Sequence, residues 1–286
     1  MRAVDLHVHS LKSDGSLTPS ELVDKALSLN LRAFALTDHD CTDGLPEAME
    51  YAKDKDVEVI PGIELSTGYN GKDVHIVGLD IDYKNESLQK WLTDFRASRD
   101  LRNQKMCDKL QSEAGIDISY ETLKATDPGA VITRSHYAKF LFAHGYVKSI
   151  REAFDRYIGD HARYYVPREK IDPREAVKVI LLSGGIPILA HPVLYHLTKK
   201  QLSELVSMLK EAGLIGIEAI YSTYAPSDER EIKALAKEYD LAISGGSDYH
   251  GVVKPGLEMG TGYGKLFVPE DVLDNLRLKK KQTENE

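Results

Sequence analysis

Short runs of consecutive hydrophobic residues recur along the chain and alternate with amphipathic stretches. Seven of these runs predict β-strands: Ala3–Val8, Ala33–Leu36, Glu58–Ile63, Val74–Ile81, Ile186–Ala190, Ile215–Ile220 and Leu241–Ile243. Because the runs are continuous, they are typical of parallel strands covered on both faces. Thr18-Pro19-Ser20-Glu21 and Asp172-Pro173-Arg174-Glu175 each place a capping residue, a proline and a glutamate where a helix begins. Strands and helices in alternation predict a parallel α/β sheet or barrel.

The alternation stops after Ile81 and resumes near Asp172. Between these points the hydrophobic residues follow a helical spacing, at Leu88, Trp91, Leu92 and Phe95 and again over 101–110, 133–143 and 149–158. We therefore predict a discontinuous barrel domain formed by residues 1–86 and 166–286. An inserted, mostly helical subdomain occupies residues 87–165.

Composition narrows the classes of protein that this pattern fits. The chain has 286 residues, of which 42% are hydrophobic and 29% are charged, so it can bury a sizeable core. Collagen, disordered chains and small disulfide scaffolds are excluded. The two cysteines, Cys41 and Cys107, lie in unrelated contexts, which argues against a disulfide or a thiolate zinc site. A metal ion would therefore need histidine and carboxylate ligands.

The charge distribution argues against a protein that coats nucleic acid or membranes. The net charge is −8, although residues 87–165 carry 13 Lys and Arg against 10 Asp and Glu. No apolar run approaches the ~20 residues that cross a bilayer, and the stretch before His7 leaves no room for a signal peptide. We therefore expect a cytoplasmic protein whose modestly basic insertion suits a short ligand better than a long duplex.

Histidines follow the predicted strands. Six of the ten lie within a predicted strand or just beyond one: His7, His9, His39, His75, His191 and His250. Carboxylates accompany them at Asp5, Asp14, Asp38, Asp40, Glu64 and Asp248. Because the carboxyl ends of parallel strands meet at one face of a barrel, we expect these side chains to converge. A set this large implies more than one metal ion, since burying so many ionisable groups without cations would be costly.

Seven ordered motifs resemble those of a known enzyme family. They are Asp5-Leu6-His7-Val8-His9-Ser10, Ser13-Asp14-Gly15, Thr37-Asp38-His39-Asp40, Pro61-Gly62-Ile63-Glu64, Val74-His75, Ala190-His191-Pro192 and Gly246-Ser247-Asp248-Tyr249-His250. In this order they are similar to the motifs of the PHP (polymerase and histidinol phosphatase) phosphoesterases, over residues 1–81 and 166–270. The resemblance implies a distorted (β/α)7 TIM-like barrel, the PHP fold, with an inserted small helical subdomain that caps the substrate.

The same resemblance implies a centre of three divalent metal ions. The first ion would be held by His7, His9, Glu64 and Asp248, the second by Glu64, His75 and His191, and the third by Asp14, His39 and His250. Mn²⁺ is the expected ion, and Fe²⁺ and Zn²⁺ accept the same nitrogen and oxygen ligands. His191 and Asp248 are also candidate catalytic residues, together with Asp38, which we expect to orient ligands.

Positively charged residues of the insertion are candidates for holding a substrate phosphate. The predicted substrate-binding residues are Arg99, Arg134, Ser135 and His136. The last three follow the predicted cap Thr133, where free amides at a helix start attract an anion. Arg99 lies between Arg96 and Arg102 at three-residue spacing on the preceding helix, and a solvated charged face explains those two neighbours equally well.

Motifs inside the insertion are similar to one branch of the family. Thr133-Arg134-Ser135-His136, residues 152–159 and Tyr165-Val166-Pro167 resemble the stand-alone phosphoesterases, which include a nucleoside 3′,5′-bisphosphate phosphatase and a 5′-to-3′ exoribonuclease acting on short RNA. We predict a metal-dependent phosphoesterase in which a hydroxide activated by metal ions attacks phosphorus. The alternatives are a histidinol-phosphate-type monoesterase and a non-catalytic, metal-stabilised module that binds nucleotides.

Overall fold

The computed structural model describes residues 2–126, 128–159, 162–167 and 171–285. Its strands are β1 (Val4–Val8), β2 (Ala33–Leu36), β3 (Glu58–Pro61), β4 (Ile63–Tyr69), β5 (Lys72–Leu79), β6 (Ile186–Leu189), β7 (Gly216–Tyr221) and β8 (Ala242–Gly246). Its α-helices are α1 (Pro19–Ser28), α2 (Leu45–Ala52), α3 (Glu86–Ala114), α4 (Tyr120–Thr126), α5 (Arg134–Ala143), α6 (Ile150–Ala153), α7 (Pro173–Leu182), α8 (Lys199–Glu211), α9 (Pro226–Glu238) and α10 (Asp271–Thr283).

The strands form two sheets, with the order β1-β2-β3 in one and β4-β5-β6-β7-β8 in the other. Only Gly62 separates β3 from β4, so these two act as one bent strand that joins the sheets. The other junction lies between β1 and β8, where Val8 bridges Tyr249 and the Asp248 amide donates to the His7 carbonyl over 2.9 Å. The result is a nearly closed, distorted barrel of seven strands, which confirms the predicted fold class.

One strand runs opposite to the prediction. β5 pairs antiparallel with both β4 and β6, so the expectation of a uniformly parallel barrel was wrong there. The physical reason is the two-residue turn Asn70-Gly71 between Tyr69 and Lys72, in which both central residues have positive φ. Such a turn reverses the chain into a hairpin, whereas a parallel connection needs a crossover.

The helix starts agree with the sequence signals. The Thr18 side chain accepts a hydrogen bond from the Glu21 amide, and the Glu21 carboxylate accepts one from the Thr18 amide. These two reciprocal hydrogen bonds form a complete capping box. Asp172 caps α7 through the Arg174 amide. The two helical stretches predicted on either side of Arg99 form the single helix α3, of 29 residues. Among the described residues, no helix is both long enough and apolar enough to cross a membrane.

Hydrophobic residues gather in three clusters. One fills the barrel, with Leu6, Ala35 and Ile188 among its members, and a second lies between the strands and the outer helices. The third belongs to the inserted segment and includes Met106 and Tyr137, both fully buried. The insertion thus has a core of its own from Met106 onward, whereas Leu88 and Leu92 at its start belong to the second cluster. The predicted domain division, with boundaries at 86/87 and 165/166, stays a prediction.

Candidate metal centre

All nine predicted metal ligands come together at one end of the barrel. Their nitrogen and oxygen atoms form four overlapping groups within which the atoms lie no more than 4.8 Å apart: His9, Asp14, His39 and His250; His7, His9 and Asp248; His7, Glu64 and His191; and His39, Glu64 and His75. Seven of the nine side chains are buried, and only His39 and His75 are partly exposed. The cluster is therefore shielded from solvent, and His39 and His75 lie on its accessible side.

Glu64 lies at the centre of this cluster. Its Oε2 lies 3.3 Å from the Nε2 atoms of both His7 and His9, and its Oε1 lies 2.8 Å from His75 Nδ1 and 3.0 Å from His191 Nε2. The two oxygens of one carboxylate thus face two different sets of imidazoles. This is the arrangement that a carboxylate bridging two ions requires.

Asp14 and Asp248 complete the two outer sets. Asp14 Oδ1 lies 3.2 Å from His250 Nε2 and 3.9 Å from ring nitrogens of His9 and His39. Asp248 Oδ1 lies 3.3 Å from His9 Nε2 and 3.4 Å from His250 Nδ1. The predicted third set, Asp14, His39 and His250, lies within one of the four groups, and His7, His9 and Asp248 of the first set form another. Glu64 is grouped with His7 and His191 and also with His39 and His75, so the predicted division of the ligands among three ions stays a prediction.

The polar atoms of the cluster fit a cation. Within the described part of the chain, several buried side-chain atoms have no hydrogen-bond partner, and they include His7 Nε2, both ring nitrogens of His9, Asp14 Oδ1, His39 Nδ1 and Glu64 Oε2. Buried polar atoms without a partner are rare in folded proteins and call for a ligand. Imidazole and carboxylate together suit Mn²⁺, Fe²⁺ and Zn²⁺. The residues of the cluster therefore fit divalent metal ions.

Without metal, the ionisable groups of the cluster compensate one another. Burial lowers the pKa of His9, but the carboxylates of Asp248 and Glu64 outweigh burial and raise that pKa to about 9. Burial would raise the pKa of Glu64, yet His39 and His75 hold it well below its usual range. The carboxylates are therefore ionised and ready to bind a cation near neutral pH.

Glu218 supports the cluster from β7 and was missed in the sequence. Its Oε1 lies 3.1 Å from His7 Nδ1, and its Oε2 accepts the His191 amide over 2.7 Å. A carboxylate on Nδ1 fixes the imidazole with Nε2 free for a metal ion. The signal was present, because Glu218 is a lone charge inside the otherwise apolar run Ile215–Ile220.

Asp38 lies behind the ligands and contacts the chain between them. Its carboxylate accepts from the Ser10 amide, the Ser10 hydroxyl and the Ser13 hydroxyl at 2.6 to 2.8 Å. Those hydrogen bonds fix the loop that carries His9 and Asp14. Asp38 is therefore placed to orient the metal ligands His9 and Asp14 through this loop. A contribution of Asp38 to catalysis stays a prediction.

The backbone at the strand ends is shaped for close approach. His191 and Asp248 both have positive backbone φ angles, 26° and 56°, which residues other than glycine seldom adopt. Gly246 lies against β1, where an added Cβ would be 2.5 Å from the His7 Cβ. Only glycine lets β8 pass this close to the first ligand strand. Asp248 Oδ2 is in turn held by the Tyr221 hydroxyl, at 2.6 Å, and by Lys254.

A cavity of about 150 Å³, here called the arginine cavity, opens beside the metal ligands. It is lined by Asp14, His39, Ser66, Asp73, His75, Arg99, Arg102, Thr133, Arg134, Ser135, Phe154 and Tyr165. Ligands of the candidate metal centre therefore form one wall, and positively charged residues of the insertion form another. A bound anion would contact both walls.

The arginines of α3 point in different directions. Arg99 is buried, pairs with the Asp40 carboxylate and donates to the Ser66 hydroxyl over 2.9 Å. Arg96 is more exposed and donates to the Asp40 carbonyl over 3.1 Å and to the Asp43 carboxylate over 3.3 Å. Because three residues advance a helix by less than one turn, successive arginines point in different directions. Arg99 and Arg102 line the arginine cavity.

The start of α5 carries the remaining candidate substrate ligands. Arg134 pairs with Asp73 over 2.6 Å, and Ser135 lies at the open first turn. His136 is buried and its Nδ1 accepts the Thr133 amide, which completes the cap of the helix. The Thr133 hydroxyl also donates to Asp14 Oδ2 over 3.1 Å, linking the insertion to a metal ligand.

Other candidate residues lie apart from these contacts. Cys41 is fully buried, and burial raises the pKa of its thiol well above the usual range, so it is a neutral neighbour of the site. Tyr249 is buried as well, as is Tyr221, whose hydroxyl contacts the metal ligand Asp248 as described above. His161 lies outside the described residues.

Comparisons with known proteins agree with this geometry. The family model described as the PHP domain matches residues 5–239. A 5′-3′ exoribonuclease of Haemophilus influenzae is 39% identical over 246 residues, which are 86% of this chain and 89% of that protein. A 3′,5′-nucleoside bisphosphate phosphatase of Chromobacterium violaceum is 34% identical over 261 residues, or 91% of each chain.

A solved structure extends the likeness to three dimensions. A protein from Bifidobacterium adolescentis, assigned as a metal-dependent phosphoesterase, superposes with a TM-score of 0.85 at 26% identity. The superposition covers 97% of this chain and 96% of that chain. It therefore includes the inserted helices as well as the barrel.

Proposed function

The chain belongs to the PHP domain family and is a metal-dependent phosphoesterase, and from that premise we propose that it hydrolyses nucleoside 3′,5′-bisphosphates and short 5′-phosphorylated RNA. The observation that carries the proposal is the arginine cavity, which adjoins the candidate metal centre. Both substrates present a terminal 5′-phosphate to bind and a neighbouring 3′ ester to cleave. A cavity of about 150 Å³ suits a phosphate group better than a duplex.

We assign three divalent ions to the centre, with Mn²⁺ as the ion expected in the active enzyme. Two features support three sites: the two oxygens of Glu64 face different imidazoles, and Asp14 lies in a further group with His9, His39 and His250. When bound, the ions supply hydroxide near neutral pH and neutralise charge on the phosphoryl oxygens.

The chain's own residues orient the substrate. Arg134 and Ser135 bind the 5′-phosphate at the start of α5, where the positive end of the helix dipole favours an anion. Arg99 donates a hydrogen bond to the same phosphate, since it lines the cavity while it is paired with Asp40. Arginine offers paired donors in a fixed plane, which matches phosphate geometry. The insertion, residues 87–165, thereby caps the substrate against the barrel.

Hydrolysis adds water across one phosphorus–oxygen bond. The water oxygen bonds to phosphorus, the bond from phosphorus to the ribose 3′ oxygen breaks, and a proton passes to that oxygen. A bisphosphate yields inorganic phosphate and a 5′-mononucleotide. An RNA yields a 5′-mononucleotide and a chain that is shorter by one nucleotide and retains the phosphate.

A substrate panel tests the proposal. Purified protein with Mn²⁺ is incubated with a nucleoside 3′,5′-bisphosphate, 5′-phosphorylated and 5′-hydroxyl RNA trimers, and histidinol phosphate. We expect phosphate release from the first and mononucleotide release from the second, with neither reaction on the other two. Preferential hydrolysis of histidinol phosphate, or no hydrolysis of any compound, would contradict the proposal.

A further inference from the structure

A second cavity, of about 410 Å³, lies beside the candidate metal ligands His75 and His191 and is here called the Lys72 cavity. It is lined by Lys72, Asp73, His75, Arg134, His191, Leu194, Tyr195 and His196. Three of these residues, Asp73, His75 and Arg134, also line the arginine cavity. The two cavities therefore adjoin one another at these three residues.

The wall of the Lys72 cavity combines three kinds of contact. Lys72 starts β5 directly after the hairpin turn, and among the described residues no carboxylate lies within ion-pair distance of it. Leu194 is 41% exposed, and the exposed His196 follows it in a left-handed backbone conformation. A cation beside an exposed apolar side chain and an imidazole matches the phosphate, base and ribose of a nucleotide.

We propose that the Lys72 cavity binds the nucleotide on the 3′ side of the scissile phosphate in an RNA substrate. This inference rests on the proposed function. With the 5′-phosphate in the smaller arginine cavity, the rest of the RNA must leave the metal ligands elsewhere. His75 and His191 line the Lys72 cavity, so this exit begins at the metal ligands themselves. Lys72 then binds a phosphate farther along the RNA, and Leu194 contacts the base of the nucleotide on the 3′ side.

The two proposed substrates use this cavity differently. In an RNA, cleavage of the bond from phosphorus to the first 3′ oxygen leaves the downstream chain, with its new 5′-phosphate, in the Lys72 cavity. A nucleoside 3′,5′-bisphosphate has no downstream nucleotide and leaves that cavity to solvent. The ratio of kcat/KM for RNA to kcat/KM for the bisphosphate therefore isolates the contribution of the Lys72 cavity.

Charge reversal at Lys72 tests the inference. For Lys72→Glu we expect this ratio, measured with a 5′-phosphorylated trimer, to fall about fivefold, the size of an exposed charge contact. The matched control is Lys281→Glu, an exposed lysine on α10 outside both cavities, which should leave the ratio unchanged. The Kd of a fluorescent 5′-phosphorylated trimer with phosphorothioate linkages should rise by the same factor in Lys72→Glu. That binding readout does not depend on turnover.

A second pair of variants examines the apolar contact. Leu194→Ala should lower the ratio about threefold by removing part of a base contact, whereas Leu182→Ala, at a leucine that is 68% exposed on α7, should not. An unchanged ratio in both Lys72→Glu and Leu194→Ala overturns the inference. The wild-type protein's activity on both substrates does not depend on these variants, so an unchanged ratio leaves the proposed function standing. A wild-type protein that hydrolyses the bisphosphate but not the trimer overturns the inference and the RNA part of the proposed function, and one that hydrolyses neither overturns the whole proposed function.

Discussion

The candidate metal ligands and the candidate phosphate ligands lie on two different kinds of scaffold. Ligands such as His7 and Asp248 sit on or next to barrel strands, and backbone hydrogen bonds between β1 and β8 hold them. Arg99 and Arg134 extend from inserted helices and are held by ion pairs with carboxylates of the barrel side. The metal ligands of the barrel, here called the metal face, are therefore held in place by the fold. The candidate phosphate ligands of the insertion, here called the phosphate face, are held by ion pairs between side chains.

This difference has a consequence for binding. A metal ion entering the barrel face meets carboxylates that are already ionised and imidazoles that are already oriented. A phosphate entering the arginine cavity competes with Asp73 for Arg134 and with Asp40 for Arg99. We therefore expect changes on the barrel face to reduce metal content and turnover, and changes on the insertion to act mainly on KM.

The largest effect is expected from removing a metal ligand. Asp248→Ala or His191→Ala should lower kcat by about a thousandfold or more, because several kcal/mol of charge stabilisation are lost. Elemental analysis should show less bound metal in both variants. Asp24→Ala is the matched control, since this carboxylate lies outside the centre, where it accepts a hydrogen bond from the Tyr51 hydroxyl. Full activity in either ligand variant would refute the site assignment.

The support of the metal face can be tested at Glu218. Glu218→Gln keeps the shape of the side chain but removes the charge that holds His7 and the His191 amide. Metal affinity should fall about 10- to 100-fold, as is usual when a partner of a ligating histidine is lost. Titration with Mn²⁺ measures the change, and Glu211→Gln on α8 serves as the control. If Glu218→Gln and the wild type bound Mn²⁺ with equal affinity, Glu218 would not be the residue that orients His7 for metal binding.

The phosphate face should respond differently. Arg134→Ala should raise KM for the bisphosphate about tenfold by removing a charged hydrogen bond, while bound metal stays at the wild-type level. Arg151→Ala, at a side chain that is 91% exposed, is the control. If Arg134→Ala lost metal as well, the two faces would not be separable.

The smallest effect is a gradual dependence of stability on pH in the metal-free protein. His9 has a pKa raised to about 9, so its protonated form stabilises the folded chain fully below about pH 6.5. That contribution is lost as pH rises through 9. The denaturant midpoint of the metal-free protein should therefore fall between pH 6.5 and 9. His9→Gln should flatten the decline, and His144→Gln, at the end of α5, should not; a flat profile in wild type would contradict the assignment.

The sequence predicted the metal face more completely than the phosphate face, for a physical reason. Strand-end residues such as His191 have positions set by the barrel, so knowing the strands suffices to bring them together. The side chains of α3 depend on helix rotation and on partners such as Asp40, which no local pattern reveals. The antiparallel β5 and the support from Glu218 were missed, although the Asn70-Gly71 turn and a charge within an apolar strand signalled both.

Anomalous diffraction from crystals grown with Mn²⁺ tests the central claim most directly. Three manganese peaks should appear, one on each side of Glu64 and a third beside Asp14, each within coordination distance of the assigned nitrogen and oxygen atoms. Peaks located away from these side chains, or none at all in a protein that hydrolyses the proposed substrates, would contradict the account.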